Sequence, residues 1–262
     1  MCIRDRNGVK LEIASAIFDQ MEKFAGYAFP KARSTPYGII TFQTAWLKTH
    51  YPAEFMAAVV SADMQNIDKV VTFVDEIRRM GLTLHSPNIN TSSFRFSVFD
   101  GEILYGLGAV RGVGESPVGA IVEERSARGP FKDLRDFSSR LDSKRVNKRV
   151  LEALVQAGAL DCFSLSKEDV DHARARFMTD LPVAVQVAEQ TARDMEFGLD
   201  DMFGGASQSD GRQPALLVSP LSKKDRLNGE KETLGLYLTG HPIDDYIDEI
   251  RKFCPTRIAA LK

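Results

Sequence analysis

Four glycines stand within nine residues, Gly106, Gly108, Gly112 and Gly114, and an apolar run at helical spacing, Val118, Ile121 and Val122, follows them. Glycine tolerates positive φ and lets bare backbone approach a ligand, and a helix that starts just behind it presents unpaired N–H groups at the positive end of its dipole. The chemistry that suits this stretch is phosphate binding. Arg111, Gly112, Val113, Gly114 and Glu115 would form the gripping turn, with the backbone N–H groups of Gly112 to Glu115 as donors. A second candidate is Ser143 to Arg149, where Lys144, Arg145, Lys148 and Arg149 stand just ahead of the apolar positions Val150, Leu151, Leu154 and Val155. Cations at a helix start oppose its dipole, at roughly 0.3–1 kcal/mol each. That arrangement points to an anionic partner, DNA, although an ordinary solvated face has the same composition. A third candidate lies between Glu22 and Glu54, which enclose no carboxylate at all. Lys23, Lys31, Arg33 and Lys48 alternate there with Phe24, Tyr27, Phe29, Tyr37, Phe42, Trp46 and Tyr51, a mixture suited to phosphates and stacked bases and equally to a helix core with solvated lysines.

The elements that must hold these residues are mostly helices. Ile13, Ile17, Met21 and Phe24 recur at helical spacing and stop before Gly26, while Pro30 and Pro36 predict a loop from Gly26 to Tyr37. Gly38 to His50 reads as a helix, and Pro52 opens the next, through Ala62. Asn66 caps a third, whose Ile67, Val70, Val71, Val74 and Ile77 line one face up to Gly81. Leu82 to Leu84 and the alternation Phe94, Phe96, Val98 predict short strands, and Asp100-Gly101 a hairpin turn. The glycine-rich stretch then resembles a helix-hairpin-helix module, and Leu134, Phe137 and Leu141, the basic turn and the helix closed by Gly158 form a looser second copy without its glycines. Ser166-x-x-Asp169 reads as a capping box opening a helix that Pro182 interrupts before about Phe197. Glu230 to Leu238 and Asp244 to Phe253 are the last predicted helices, around a Gly240-His241-Pro242 turn. The expected fold is mainly α with a small β-hairpin: a helical subdomain, a tandem helix-hairpin-helix domain and a helical tail. The domain limits are a non-native or disordered N-terminus over 1–9, the first helical subdomain over 10–100, which the resemblance given below identifies as fingers, helix-hairpin-helix over 101–165, a helical extension over 166–203, a linker over 204–215 and a helical lead-in over 216–262.

Composition excludes much. With 44% apolar and 27% charged residues the chain is an ordinary globular one, and at a net charge of −2 any nucleic-acid surface must come from local clustering. No apolar run approaches a membrane span and no secretory signal is present, so the expected location is the cytoplasm, with no membrane partner. Cys2, Cys162 and Cys254 form no CxxC, and the four histidines are equally scattered, so no metal site is expected. There is no GxSxG, no GxxxxGK[ST] and no HExxH, and the adjacent pairs Asp200-Asp201 and Asp244-Asp245 diverge on any regular element. The chain alone is expected to catalyse nothing.

Longer strings are more specific. Phe24-Ala25-Gly26-Tyr27-Ala28-Phe29, Lys31, Tyr37, Tyr51-Pro52-Ala53-Glu54-Phe55-Met56-Ala57-Ala58, Arg79-Met80-Gly81, Pro87-Asn88-Ile89-Asn90, Tyr105-Gly106-Leu107-Gly108-Ala109, Asn147-Lys148-Arg149-Val150-Leu151-Glu152 and Leu234-Gly235-Leu236-Tyr237-Leu238-Thr239-Gly240-His241-Pro242 occur in order. Together they resemble the bacterial C-family replicative DNA polymerases, DNA polymerase III alpha. The resemblance implies a fragment covering the late fingers, tandem helix-hairpin-helix and clamp-binding parts. The palm, with its metal-binding aspartates and Mg2+, would precede this chain, and an OB-fold would begin about where it stops; no cofactor is expected within it. It further implies that Tyr27, Phe29, Lys31, Arg33 and Ser34 face the incoming nucleotide (dNTP) and template end, and that Leu199, Asp200, Asp201, Met202 and Phe203 dock on the bacterial sliding clamp. Two departures stand out. Pro30-Lys31-Ala32-Arg33 replaces the usual Asn-Lys-Ser-His, and Leu199 replaces the usual Gln, which predicts weakened clamp affinity. The expected partners are primer-template DNA, dNTP, the clamp and other replicase subunits. An error-prone C-family paralogue, a stand-alone helix-hairpin-helix module and a purely structural adaptor are the alternatives.

Overall fold

A computed structural model describes residues 7–27, 31–165, 168–196 and 218–253 of the chain. It divides into two compact units, one ending at Phe55 and the other starting at Met56. The first holds α1 (Leu11–Tyr27), α2 (Lys31–His50) and the start of α3 (Pro52–Ala62). The loop expected from Gly26 to Tyr37 is not what forms. Gly26 and Tyr27 end α1, and Lys31 to Tyr37 are the first two turns of α2, with Pro36 inside it. A proline there forfeits a single hydrogen bond, to the Ala32 carbonyl, and the uninterrupted run from Tyr37 to His50 carries the helix past it.

The second unit continues through α4 (Ile67–Arg79), whose N-cap Asn66 accepts a hydrogen bond from the Lys69 N–H and whose Val70, Val74 and Ile77 are buried. Gly81, at φ +72°, ends it. Three short strands follow, β1 (Leu84–His85), β2 (Ser97–Phe99) and β3 (Glu102–Leu104). Asp100 and Gly101 both take positive φ, so the Asp-Gly hairpin turn forms where it was expected. The hairpin is extended to a three-stranded sheet by β1, which pairs parallel with β3 in the order β1-β3-β2.

Next come a 3-10 turn (Leu107–Ala109), α5 (Glu115–Arg128), α6 (Leu134–Arg140), α7 (Lys148–Gln156) and a 3-10 turn (Asp161–Phe163). α8 (Val170–Glu196) runs through Pro182 without a break, and Ser166 of the expected capping box lies outside the described residues. Phe131, Phe137, Phe163 and Phe177 contact one another in sequence, at ring separations of 4.9, 6.3 and 6.4 Å, and join α6, the 3-10 turn and α8 into one core. α9 (Lys223–Leu234) begins seven residues before the expected Glu230 and ends before the expected Leu238. Ser222 caps it through the Asp225 N–H, and Gly235 terminates it in the left-handed region; the charged run Lys223 to Arg226 has no apolar period to reveal that first turn. A 3-10 turn (Pro242–Tyr246), capped by His241, leads into α10 (Ile247–Phe253). No helix among the described residues is long and apolar enough to cross a membrane.

Candidate nucleic-acid interface

The glycine-rich stretch forms a hairpin between the Leu107–Ala109 turn and α5. Its four glycines serve two different ends. A Cβ on Gly106 would lie 2.7 Å from the backbone of Arg95 and Phe96, and one on Gly108 would lie 2.4 Å from the Phe94 ring, so these two exist for close packing inside the protein. The expectation that all four expose backbone to a ligand is corrected accordingly. Gly112 has φ +87°, with only the Ala153 Cβ, 4.0 Å away, within reach of an added methyl group. Gly114 is the extended N-cap of α5 and offers no side chain to cap it. The first-turn N–H groups of α5 therefore have no side-chain acceptor from the N-cap, the arrangement that suits an anion. Val113 is buried and anchors the turn, its N–H bonded to the Val110 carbonyl at 3.0 Å, while the Arg111 N–H reaches the Thr233 carbonyl at 2.8 Å. Glu115 is exposed in the first turn of α5, and its carboxylate is favourable to the dipole but unfavourable to phosphate, so only its N–H can serve a grip.

The second hairpin joins α6 and α7. Asp142 organises its turn, accepting from the Lys144 N–H through its carboxylate at 2.9 Å and from the Arg145 and Val146 N–H groups through its carbonyl. Asn147 caps α7 by accepting from the Val150 N–H at 3.1 Å. The four basic residues then diverge. Lys148 reaches Glu152 at 3.7 Å, one turn along the exposed face. Arg145 turns to α5, donating to the Ser116 carbonyl at 3.2 Å and the Ser116 hydroxyl at 3.5 Å and pairing with Glu123 at 3.3 Å. Lys144 and Arg149 are exposed, and among the described residues their side chains make no ion pair. Because Ala153, one turn beyond Arg149, sits against Gly112, the glycine turn and the start of α7 are neighbours.

An open groove of about 750 Å³ runs beside the glycine turn, lined by Met64 to Asp68 on one side and Gly108 to Gly114 on the other. Behind the hairpins lies an ion cluster with no signature in the sequence. Arg174, 1% exposed, donates to Asp161 at 2.7 and 3.0 Å and to Glu230 at 3.0 Å. Burial opposes the Arg174 charge, but the hydrogen bonds and charges of Asp161 and Glu230 outweigh it and hold the guanidinium above the ordinary arginine range. The second Glu230 oxygen accepts from the Leu238 and Thr239 N–H groups at 2.9 and 3.1 Å, fixing the turn before Gly240-His241-Pro242.

The remaining sequence candidates belong to the first unit or lie outside the described residues. Tyr27 ends α1, and Lys31, Arg33 and Ser34 lie on the first turns of α2, with backbone but not side chains described for Tyr27, Lys31 and Arg33. Ser34 is partly exposed. Phe29, the clamp segment Leu199 to Phe203, the linker 204–215 and Met1 to Arg6 lie outside the described residues. Among the described residues no cluster of three or more His, Cys, Asp or Glu side chains could hold a metal ion.

A family model described as a helix-hairpin-helix motif matches residues 81–170, which contain both hairpins. Over 268 residues and 98% of its length the chain is 52% identical to the DNA polymerase III subunit alpha of Pseudomonas aeruginosa, of which it covers 23%. It is 50% identical to the subunit of the same name from Vibrio cholerae over 97% of this chain and 22% of that one. With the one from Escherichia coli K12 it shares 47% identity, over 95% of this chain and 21% of that one. The chain thus spans less than a quarter of the length of these curated relatives.

Proposed function

We propose that this chain, a member of the DNA polymerase III alpha-subunit family, is the part of a template-directed DNA polymerase that holds primer-template duplex by its backbone. The observation that carries the reading is the pairing of two hairpin turns: an α5 start without a side-chain cap beside a second turn with exposed Lys144 and, on the helix start that follows it, exposed Arg149. N–H groups at the first turn would donate to one phosphate, and the two cations would meet its neighbours along the strand. Phosphate contacts carry no sequence information, which is what a polymerase that must bind every duplex requires.

Nucleotidyl transfer itself belongs to the full-length protein, with Mg2+ held by residues other than those of this chain. Tyr27, Phe29, Lys31, Arg33 and Ser34 would contact incoming dNTP and the template end. Leu199, Asp200, Asp201, Met202 and Phe203 would tether the enzyme to the sliding clamp, Met202 and Phe203 as apolar anchors, among the other replicase subunits of the cytoplasm. The names of the relatives support the replicative reading over the error-prone paralogue and over a free-standing binding module.

Fluorescence anisotropy with labelled duplex across a salt series tests the grip. The unaltered chain is expected to bind with a steep salt dependence, and the double variant Lys144→Ala, Arg149→Ala to lose about 1.8 from the slope of log K against log salt, ~0.9 for each phosphate contact. A slope that does not change in the double variant removes these residues from the interface.

A further inference from the structure

We infer that Arg145 is a positioning residue of the duplex grip, locking the first turn of α5 to the second hairpin, and not one of its phosphate contacts. The inference rests on the duplex-grip reading. Three acceptors engage its guanidinium, and all belong to α5: the Ser116 carbonyl at 3.2 Å, the Ser116 hydroxyl at 3.5 Å and the Glu123 carboxylate at 3.3 Å. The same guanidinium lies 3.6 Å from where a Cβ on Gly119 would stand, so it rests along two turns of the helix and not only at its end.

The place of these contacts matters more than their number. Ser116 is the second residue of α5 and follows Glu115, the first N–H-bearing residue behind Gly114. The Ser116 carbonyl joins Pro117, which has no N–H, so the donors at this helix start are the N–H groups of Glu115 and Ser116, and a guanidinium that holds both the carbonyl and the hydroxyl of Ser116 holds the residue that carries one of them. Arg145 itself sits in the turn that carries Lys144 and leads into Lys148 and Arg149, and Asp142 holds that turn through three N–H groups. One side chain therefore ties the donor turn of the first hairpin to the cationic turn of the second. A planar fork can hold a carbonyl, a hydroxyl and a carboxylate at once, which a lysine ammonium on a flexible stem does not reproduce.

The test compares Arg145→Ala and Arg145→Lys with Lys144→Ala in duplex binding across a salt series, with the melting transition of each variant recorded. Arg145→Ala and Arg145→Lys are expected to weaken binding by at least ~5-fold at the slope of the unaltered chain. Lys144→Ala is expected to make the slope shallower by ~0.9. A phosphate contact would behave differently: Arg145→Lys would bind like the unaltered chain and Arg145→Ala would lose ~0.9 from the slope, and either result overturns the inference. Hydrogen exchange without DNA supplies a second readout. Amides of Ser116 and of residues 118–120 should exchange faster in Arg145→Ala than in Lys144→Ala, and equal exchange rejects the coupling. If the unaltered chain binds no duplex, the grip reading fails, and the exchange comparison still decides whether Arg145 couples the hairpins.

Discussion

At the scale of single residues, the glycines show how one residue type answers to two demands. Gly108 is needed for space, since an added Cβ would enter the Phe94 ring, and Gly112 is needed for conformation, at φ +87° with room to spare. Gly112→Ala should therefore cost about 1–2 kcal/mol through the left-handed backbone and weaken duplex binding, because it reshapes the turn that carries the donors. Gly108→Ala overpacks a filled site and should cost up to about 3 kcal/mol. Urea unfolding of the two variants checks the order; a smaller loss for Gly108→Ala would contradict the division. Both positions were legible as important from sequence, but their roles were not. A run of glycines gives no indication of which Cβ positions face a neighbouring chain segment 14 residues earlier and which face open space.

At the scale of elements, local signals determined what the sequence could reveal. Asn66 as a cap, Asp100-Gly101 as a turn, and Gly81 and Gly158 as helix ends all act within four residues of themselves, and all occur where the pattern placed them. The failures were of two kinds. Pro36 and Pro182 lie inside helices whose flanking turns outweigh one missing bond, and the first turn of α9 is set by Ser222 in a run with no apolar period. The Asp161, Arg174 and Glu230 cluster could not be read at all, because it joins positions 69 residues apart, counted from 161 to 230, through tertiary packing. Glu230→Ala leaves Arg174 buried without one of its two carboxylates and the Leu238 and Thr239 N–H groups without that acceptor. A loss of about 3–5 kcal/mol in chemical unfolding is expected. Two other carboxylates govern the acid limb. The hydrogen bond from Arg128 holds the Glu124 carboxyl below the usual range against the effect of burial, with Arg140 adding to it. The hydrogen bond from Arg176 does the same for Glu168. A depressed folded-state pKa stabilises above the unfolded value, ~4.3 for glutamate, and that stability is lost as pH falls through the folded value. Stability should therefore be level above about pH 5 with respect to these groups and fall below ~4.3, and Glu168→Gln should shrink that fall when unfolding free energy is followed against pH.

At the scale of the whole molecule, the two units differ in how much apolar surface they hide. In the second, Val60, Ile77, Ile103, Phe137, Leu154 and Phe177 are fully buried. In the first, Phe18, Phe24 and Phe42 are 68%, 73% and 71% exposed, with Leu11, Ile17, Met21 and Tyr37 more than half exposed beside them. Exposed apolar side chains on this scale bind hydrophobic dyes. The chain should enhance anilinonaphthalene sulfonate fluorescence under native conditions, and replacing Phe18, Phe24 and Phe42 by serine should reduce the signal; an unchanged signal would place the dye elsewhere. Sequence periodicity marked Ile17, Met21 and Phe24 as one face of a helix but carried no information on whether anything covers it. The contact of α4 with the chain after α9 bears on how the second unit comes into being. A Cβ on Gly235 would strike Ile67, and Arg78 donates to the Tyr237 carbonyl at 3.1 Å. Ile67 and Gly235 are 168 residues apart, counted from 67 to 235, and synthesis at ~5–20 residues per second separates their emergence by roughly ten to thirty seconds. Throughout that interval α4 is on the ribosome without the segment that closes over it, so the unit cannot finish folding until residues 235–237 have emerged.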